Sequence, residues 1–106
     1  MLMPSAESAI IDNDKIVKYL LNPSHPDGIY KALYFIKKGL NEISLYQILQ
    51  QHALNKITKK EVSIFGTKYI IEARTKGQNS FLLRSVWIIY KNETTPKLIT
   101  AYPIKL

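Results

Sequence analysis

The apolar residues of this chain change their spacing near residue 58, and that change limits the folds it can adopt. Before this point apolar residues recur every three or four positions, which is the period of a helix face. After it they recur at every second position, as in strands whose successive side chains point to opposite faces of a sheet. Helices followed by consecutive strands predict an α+β fold.

Two helices are predicted in the first 40 residues. The first covers about 13–21, with Asp12 as its N-cap, and it ends at Pro23. The second begins near Asp27 and stops near Gly39, because glycine readily takes the left-handed conformation that ends helices.

The second helix has two stripes of side chains spaced three or four positions apart. The stripe predicted to face the core consists of Ile29, Leu33 and Ile36. The stripe predicted on the opposite side consists of Lys31, Tyr34, Phe35 and Lys38. A lone lysine on such a side is usually solvated, so its position alone does not indicate a site.

A third helix is predicted from a capping box formed by Ser44 and Gln47 to about residue 55. Its shared face consists of Leu45, Ile48, Leu49 and His52. On such an apolar face, His52 is better explained as a half-buried structural histidine than as a metal ligand.

Four antiparallel strands follow, joined by turns that contain Gly, Asn or Pro. They are predicted at residues 60–65, 68–75, 80–90 and 97–104. The predicted fold is therefore α+β, with three N-terminal helices over about residues 12–56 packed on one face of a four-stranded antiparallel sheet. The length of 106 residues suits a single domain with one core.

Alternation assigns the side chains of the third strand to two faces of the sheet. One face carries Leu82, Arg84, Val86 and Ile88. The other, which is the better candidate for the core, carries Phe81, Leu83, Ser85, Trp87 and Ile89.

A regular last hairpin brings late polar side chains together on the face of Arg84. It pairs Arg84 near Tyr102 and Val86 near Thr100, and Leu98 then shares a face with Thr100. A slip of one residue breaks this cluster. An arginine beside a tyrosine and a threonine on a sheet is most often ordinary cross-strand pairing.

A second polar cluster lies in residues 22–31 and includes His25 and Lys31. Its Pro-Ser-His-Pro-Asp-Gly segment is rich in turn-forming residues, so His25 in an exposed loop is the simpler interpretation. A functional interpretation requires both side chains to turn toward the late strands.

The charge balance favours an anionic partner. Fifteen Lys and Arg against eight Asp and Glu give a net charge of +7, which suits nucleic acid, an acidic protein or a membrane surface. A basic surface that only aids solubility explains the same balance.

Several classes of chemistry are excluded or disfavoured. The chain has no cysteine, which excludes disulfides, thiol catalysis and thiolate zinc sites. Two distant histidines disfavour a metal site, and no phosphate-binding or dinucleotide-binding glycine motif is present. The chain has no apolar run long enough to span a membrane and no signal-type N-terminus, so we expect a cytoplasmic protein. We also expect no cofactor.

The chain resembles a small bacterial domain family that has no assigned function. The resemblance rests on residues 4–11, 21–28, 84–89 and 96–102, together with Lys31. Members of that family often stand beside another short open reading frame or at the end of toxin-like proteins. The resemblance therefore implies a toxin–antitoxin or effector setting, with an antitoxin protein from a neighbouring gene as partner.

A more distant resemblance is to the superfamily of barnase, EndoU, colicin and RelE ribonucleases. Those domains place N-terminal helices before a four-stranded antiparallel sheet, and many carry a terminal Thr-x-Tyr pattern like Thr100-Ala-Tyr102 here. The resemblance implies an endoribonuclease that uses no metal, because RNA supplies its own nucleophile, the 2′-hydroxyl. The catalytic residues it implies are His25, Lys31, Arg84, Thr100 and Tyr102.

The resemblance also implies a role for each residue. His25 transfers a proton, Lys31 and Arg84 stabilise charge on the phosphate, and Thr100 and Tyr102 position it, with Tyr102 also a candidate acid. The chain lacks a second histidine near the late strands, which departs from a two-histidine mechanism. The substrate-binding residues are then Tyr34, Lys38 and Ser85.

A competing hypothesis is a non-catalytic module that binds RNA or a protein through the open sheet face. Its basis is that Val86, Ile88 and Leu98 are costly to expose on that face. Homo-oligomerisation stays open under both hypotheses.

Overall fold

The computed structural model describes residues 1–25, 29–77 and 79–104. Its helical part consists of a short 3-10 turn (Ala6–Ser8), α1 (Asn13–Lys15) continued by a π-helical turn (Ile16–Leu20), α2 (Ile29–Lys37) and α3 (Glu42–His52). Its strands are β1 (Lys59–Ser63), β2 (Gly66–Arg74), β3 (Leu82–Tyr90) and β4 (Lys97–Pro103). The strands form one antiparallel sheet in the order β1-β2-β3-β4. The predicted α+β order is confirmed.

Local capping explains where the helices begin and end. Asp12 caps α1 as predicted, because its carboxylate accepts a hydrogen bond from an amide of the first turn at 2.9 Å. Gly39 follows α2 with φ of 80°, as expected for a glycine that ends a helix. The predicted start of this helix at Asp27 lies outside the described residues.

α3 begins earlier than predicted. Asn41 is its N-cap, and the Asn41 side chain accepts from the Ser44 amide at 3.0 Å while Ser44 Oγ accepts from the Asn41 amide at 2.9 Å. Asn and Ser are both favourable at helix N-termini. The capping box therefore joins Asn41 to Ser44, three residues upstream of the predicted Ser44–Gln47 pair. Within the described ranges, no helix has the length and apolar character needed to cross a membrane.

The stripe of α2 that faces the core is the one that was predicted to face away from it. Phe35 is fully buried, and its ring centroid lies 6.1 Å from that of Phe81. The stripe predicted to face the core is instead between 40% and 50% exposed: Ile29, Leu33 and Ile36. Because an aromatic ring buries more apolar surface than a single aliphatic chain, the orientation that buries Phe35 is favoured.

The main core contains side chains from the helical segments and from the sheet. The helical segments contribute Ile16, Leu20, Phe35, Leu45 and Leu49. The sheet contributes Tyr69, Ile71, Leu83, Trp87, Leu98 and Ala101. Tyr69 stands opposite Trp87 in the ladder, which places them on the same face. The predicted core face of the third strand is therefore confirmed.

A β-bulge interrupts the last hairpin. Arg84 stands opposite Tyr102, as predicted, but Ile99 is an extra residue beyond Thr100 in the ladder. The extra residue reverses the alternation of side chains along β4, so Leu98 lies on the core face, where it is buried. The prediction that Leu98 shares a face with Thr100 was therefore wrong.

Candidate active site

Lys31 lies at the centre of a polar cluster drawn from both ends of the chain. Its ammonium donates to Tyr19 Oη at 2.9 Å and to Thr100 Oγ1 at 3.4 Å. Its Nζ also lies 5.0 Å from the ring centroid of Tyr102. Lys31 is half-buried rather than solvated. Since Thr100 and Tyr102 belong to the sheet face opposite the core, α2 contacts more than one face of the sheet.

Arg84 extends this cluster across the sheet. Its Nη1 donates to Tyr102 Oη at 2.9 Å, and its Nε and Nη2 pair with the carboxylate of Glu72. Glu72 stands directly opposite Arg84 in the ladder between β2 and β3. Hydrogen bonds to Tyr102 and then to Glu72 raise the pKa of Arg84 above its usual value, so the guanidinium stays charged.

His25 borders the other side of the cluster. Its ring meets the ring of Tyr19 edge to face, with centroids 4.7 Å apart and planes at 78°. Both line a groove of about 730 Å³ whose walls also include Thr100 of β4. The remaining lining residues are Asp12, Asp14, Lys15, Lys18 and Ile99. The β-bulge at Ile99 thus lies at the edge of this groove, and bulges are over-represented beside active sites.

A second groove of about 400 Å³ lies on the open sheet face, and Glu72, Arg84 and Tyr102 line it. Thr100 lines the first groove and Tyr102 the second, so two side chains on the same face of β4 border the two grooves. Among the described residues, no three His, Cys, Asp or Glu side chains are grouped so that they could hold a metal ion.

The five residues predicted as catalytic are therefore joined by contacts within one cluster. The contacts run from His25 through Tyr19 to Lys31, then to Thr100 and Tyr102, and from Tyr102 to Arg84. Their chemical roles stay predictions.

Tyr34 and Lys38, predicted to bind substrate, lie elsewhere on the same helix stripe. They line a groove of about 450 Å³ with Lys37 and Asn79, and none of the described residues lines both this groove and either of the other two. The Tyr34 ring meets Phe81 edge to face at 5.5 Å, and Lys38 Nζ lies 5.6 Å from the Tyr34 ring centroid.

Ser85 occupies a different environment, fully buried on the core face. Its Oγ accepts from Trp87 Nε1 at 2.8 Å and lies 2.6 Å from His52 Nδ1. This position does not fit the predicted role of Ser85 in substrate binding, because the backbone of the sheet separates it from Arg84.

His52 is a structural histidine, as predicted, although it is more deeply buried than expected. Its Nε2 lies 3.0 Å from the carbonyl oxygen of Ala73, which can only accept, so Nε2 carries the proton. Nδ1 then accepts from the Ser85 hydroxyl. Burial lowers the pKa of His52 below 6.5, which keeps the ring neutral.

Sequence reasoning missed Tyr19 and Glu72. A regular hairpin around the predicted turn 76–79 pairs Glu72 with Leu83, so the sequence did not place Glu72 opposite Arg84, its observed partner. Tyr19 follows the buried Ile16 by three positions, so its helical spacing does not distinguish it from a core residue.

These features define a small α+β domain in which basic and hydroxyl side chains gather where the helices meet the last strand. The chain belongs to the family described as "Domain of unknown function (DUF6883)", which matches residues 2–105. The expected membership of a small domain family without assigned function is confirmed. No curated protein matches the chain.

A solved structure has the same fold. It is a chain of the "Contact-dependent growth inhibition toxin - immunity protein complex from Klebsiella pneumoniae 342". The TM-score is 0.69 at 20% sequence identity, over 96% of this chain and 98% of that chain.

Proposed function

We propose that this chain is a metal-independent ribonuclease of a toxin–antitoxin or effector system. The observation that carries the proposal is the contact of Lys31 with Thr100 and Tyr102, because it brings a second cation to Tyr102, which Arg84 already contacts. Two cations beside hydroxyl groups suit a phosphate, whose oxygens carry negative charge and accept hydrogen bonds.

The partners of Lys31 favour an anionic ligand. Among the ion pairs formed by the described residues, none includes Lys31. Its two hydrogen bonds go to neutral hydroxyls. A half-buried ammonium whose hydrogen-bond partners are neutral keeps its attraction for a negative group, and that attraction is less screened than in water.

Arg84 is arranged differently because Glu72 already occupies part of its guanidinium. A phosphate at Arg84 therefore approaches on the side of Tyr102, where only Nη1 is engaged and its acceptor is a hydroxyl. Glu72 in this arrangement holds the Nε and Nη2 edge of the guanidinium and so orients Nη1 toward Tyr102.

The proposed reaction is transesterification of RNA. The 2′-oxygen attacks the adjacent phosphorus, the bond from phosphorus to the 5′-oxygen breaks, and the products carry a 2′,3′-cyclic phosphate and a 5′-hydroxyl. His25 takes the proton of the 2′-hydroxyl, a task that suits imidazole near neutral pH. The Tyr102 hydroxyl accepts from Arg84 and retains its own proton, which it donates to the 5′-oxygen.

The proposed biological setting includes an inhibitory protein partner. The structurally similar chain comes from a complex of a toxin with its immunity protein. The net charge of +7 suits both RNA and an acidic inhibitor.

The alternative of a non-catalytic module on the open sheet face has lost its apolar basis. Val86 and Ile88 are only 8% and 9% exposed, and Leu98 lies in the core. The groove on that face is lined by the polar row of Glu72, Arg84 and Tyr102 together with the apolar side chains of Ile70 and Val86.

The test is cleavage of an RNA oligonucleotide in the presence of EDTA, with product ends identified by mass spectrometry. We expect cyclic phosphate ends from the wild type and none from His25→Ala or Arg84→Ala. Arg74→Ala is the matched control, because Arg74 is exposed on the neighbouring strand. RNA binding without cleavage favours the alternative module, and neither binding nor cleavage rejects both hypotheses.

Growth separates the same two hypotheses in cells. We expect induced expression of the wild-type chain to arrest growth and the Arg84→Ala chain to be tolerated. Tolerance of the wild-type chain counts against a toxin.

A further inference from the structure

Tyr19 links the two N-terminal members of the proposed site. Its hydroxyl accepts from Lys31 at 2.9 Å, and its ring meets the ring of His25 at a centroid distance of 4.7 Å. Tyr19 is half-buried and lines the groove that Thr100 also borders. One side chain therefore contacts both the cation and the proton carrier of the proposed reaction.

The backbone around Tyr19 is held firmly. Tyr19 belongs to the π-helical turn Ile16–Leu20, in which the Leu21 amide donates to the Ile16 carbonyl at 2.8 Å. Ile16 and Leu20 are fully buried and anchor the turn in the core. Single π-helical turns occur frequently at functional sites, where they shift the direction of a side chain.

We propose that Tyr19 is a positioning residue of this site. Its hydroxyl holds the Lys31 ammonium beside Thr100, and its ring sets the plane of the His25 imidazole. A lysine side chain has four rotatable bonds, so without this acceptor the ammonium samples more positions. The catalytic consequence rests on the proposed ribonuclease function, whereas the positioning itself is measurable without RNA.

The first experiment measures the acylation rate of Lys31 by an amine-reactive reagent, followed by peptide mapping. Tyr19→Phe retains the ring and removes the acceptor, so we expect Lys31 to react at least about threefold faster, within the range of one lost hydrogen bond. The exposed Lys37 is the internal reference. Tyr46→Phe is the matched control, since Tyr46 is half-buried on α3. An unchanged rate at Lys31 in Tyr19→Phe overturns the proposal.

The second experiment measures RNA cleavage. For Tyr19→Phe we expect kcat to fall about tenfold, the scale of one lost hydrogen bond, with KM nearly unchanged. Tyr19→Leu also removes the ring, so its pH profile of cleavage should differ from that of Tyr19→Phe. A wild-type kcat in both variants overturns the proposal. If the wild type does not cleave RNA, the proposed function fails, and the Lys31 acylation rate still decides whether Tyr19 positions Lys31.

Discussion

The Lys31 ammonium lies 3.4 Å from the Thr100 hydroxyl, although 69 residues separate them in the chain. This contact joins α2 to the edge strand β4. Lys31 and Phe35 are four positions apart and share a helix face. The rotation of α2 that buries Phe35 therefore also carries Lys31 to the last strand.

Replacing Lys31 tests whether its charge acts on the phosphate. For Lys31→Met we expect single-turnover RNA cleavage to fall about 10²-fold or more, the scale of one lost transition-state stabiliser. The free energy of unfolding, measured with urea, should change by less than ~1.5 kcal/mol, because the lost hydrogen bonds go to neutral hydroxyls. Lys37→Met removes an exposed charge from the same helix, and equal losses in both variants contradict a specific role.

Arg84→Lys keeps the charge of Arg84 and removes its planar geometry. Arg84 contacts Glu72 through Nε and Nη2 and Tyr102 through Nη1, and one ammonium cannot reproduce that arrangement. We expect RNA cleavage to fall by more than about tenfold, since each lost charge-assisted hydrogen bond is worth ~1.5 kcal/mol or more. Arg74→Lys should match the wild type, and full activity of Arg84→Lys shows that charge alone suffices.

Ser85→Ala tests the buried network rather than the site. It leaves His52 Nδ1 and Trp87 Nε1 without their shared partner. Because an unsatisfied buried polar group costs ~1–3 kcal/mol, we expect the free energy of unfolding to fall by about 2 kcal/mol or more. RNA cleavage at a temperature where the variant is folded should be unchanged. The exposed Ser8→Ala variant is the control. If Ser85→Ala loses RNA cleavage while its free energy of unfolding is unchanged, and Ser8→Ala retains cleavage, Ser85 has a role in substrate binding.

Burial of His52 predicts a pH-dependent stability. Its pKa in the folded chain lies below 6.5, the value expected when unfolded. Between the folded pKa and 6.5 the unfolded state binds more protons, so the free energy of unfolding falls as pH falls. Above 6.5 both states are neutral and the full stability is present.

Urea unfolding midpoints between about pH 8 and pH 5 check this prediction, since carboxylates titrate lower, near ~4. His25→Ala should retain the decline because it retains His52. His52→Gln should flatten it, even if the variant is less stable throughout. An equal slope in His52→Gln assigns the decline to other groups.

Strand parity was the most predictive signal in this chain. Alternation over β3 and a regular final hairpin predicted that Arg84 pairs near Tyr102, and the structure has this pairing. The bulge at Ile99 was not predictable, because no glycine or proline marks it and Leu98 is apolar in either register.

The N-terminal members of the cluster were connected to the late strands by family resemblance alone. Their contacts depend on Tyr19, which the helical period of the first helix did not single out. The π-helical turn that carries Tyr19 has no local sequence signature comparable to a cap or a proline.

Periodicity in the sequence predicted the order of helices and strands and the core face of β3, and with a regular final hairpin it also predicted the grouping of Arg84 with Thr100 and Tyr102. These features depend on local periodicity, which neighbouring residues in the chain establish. Which stripe of α2 faces inward depended on tertiary packing, because both stripes carry large apolar side chains. Burial of Phe35 against Phe81 settled that choice, and the position of Lys31 beside Thr100 follows from it.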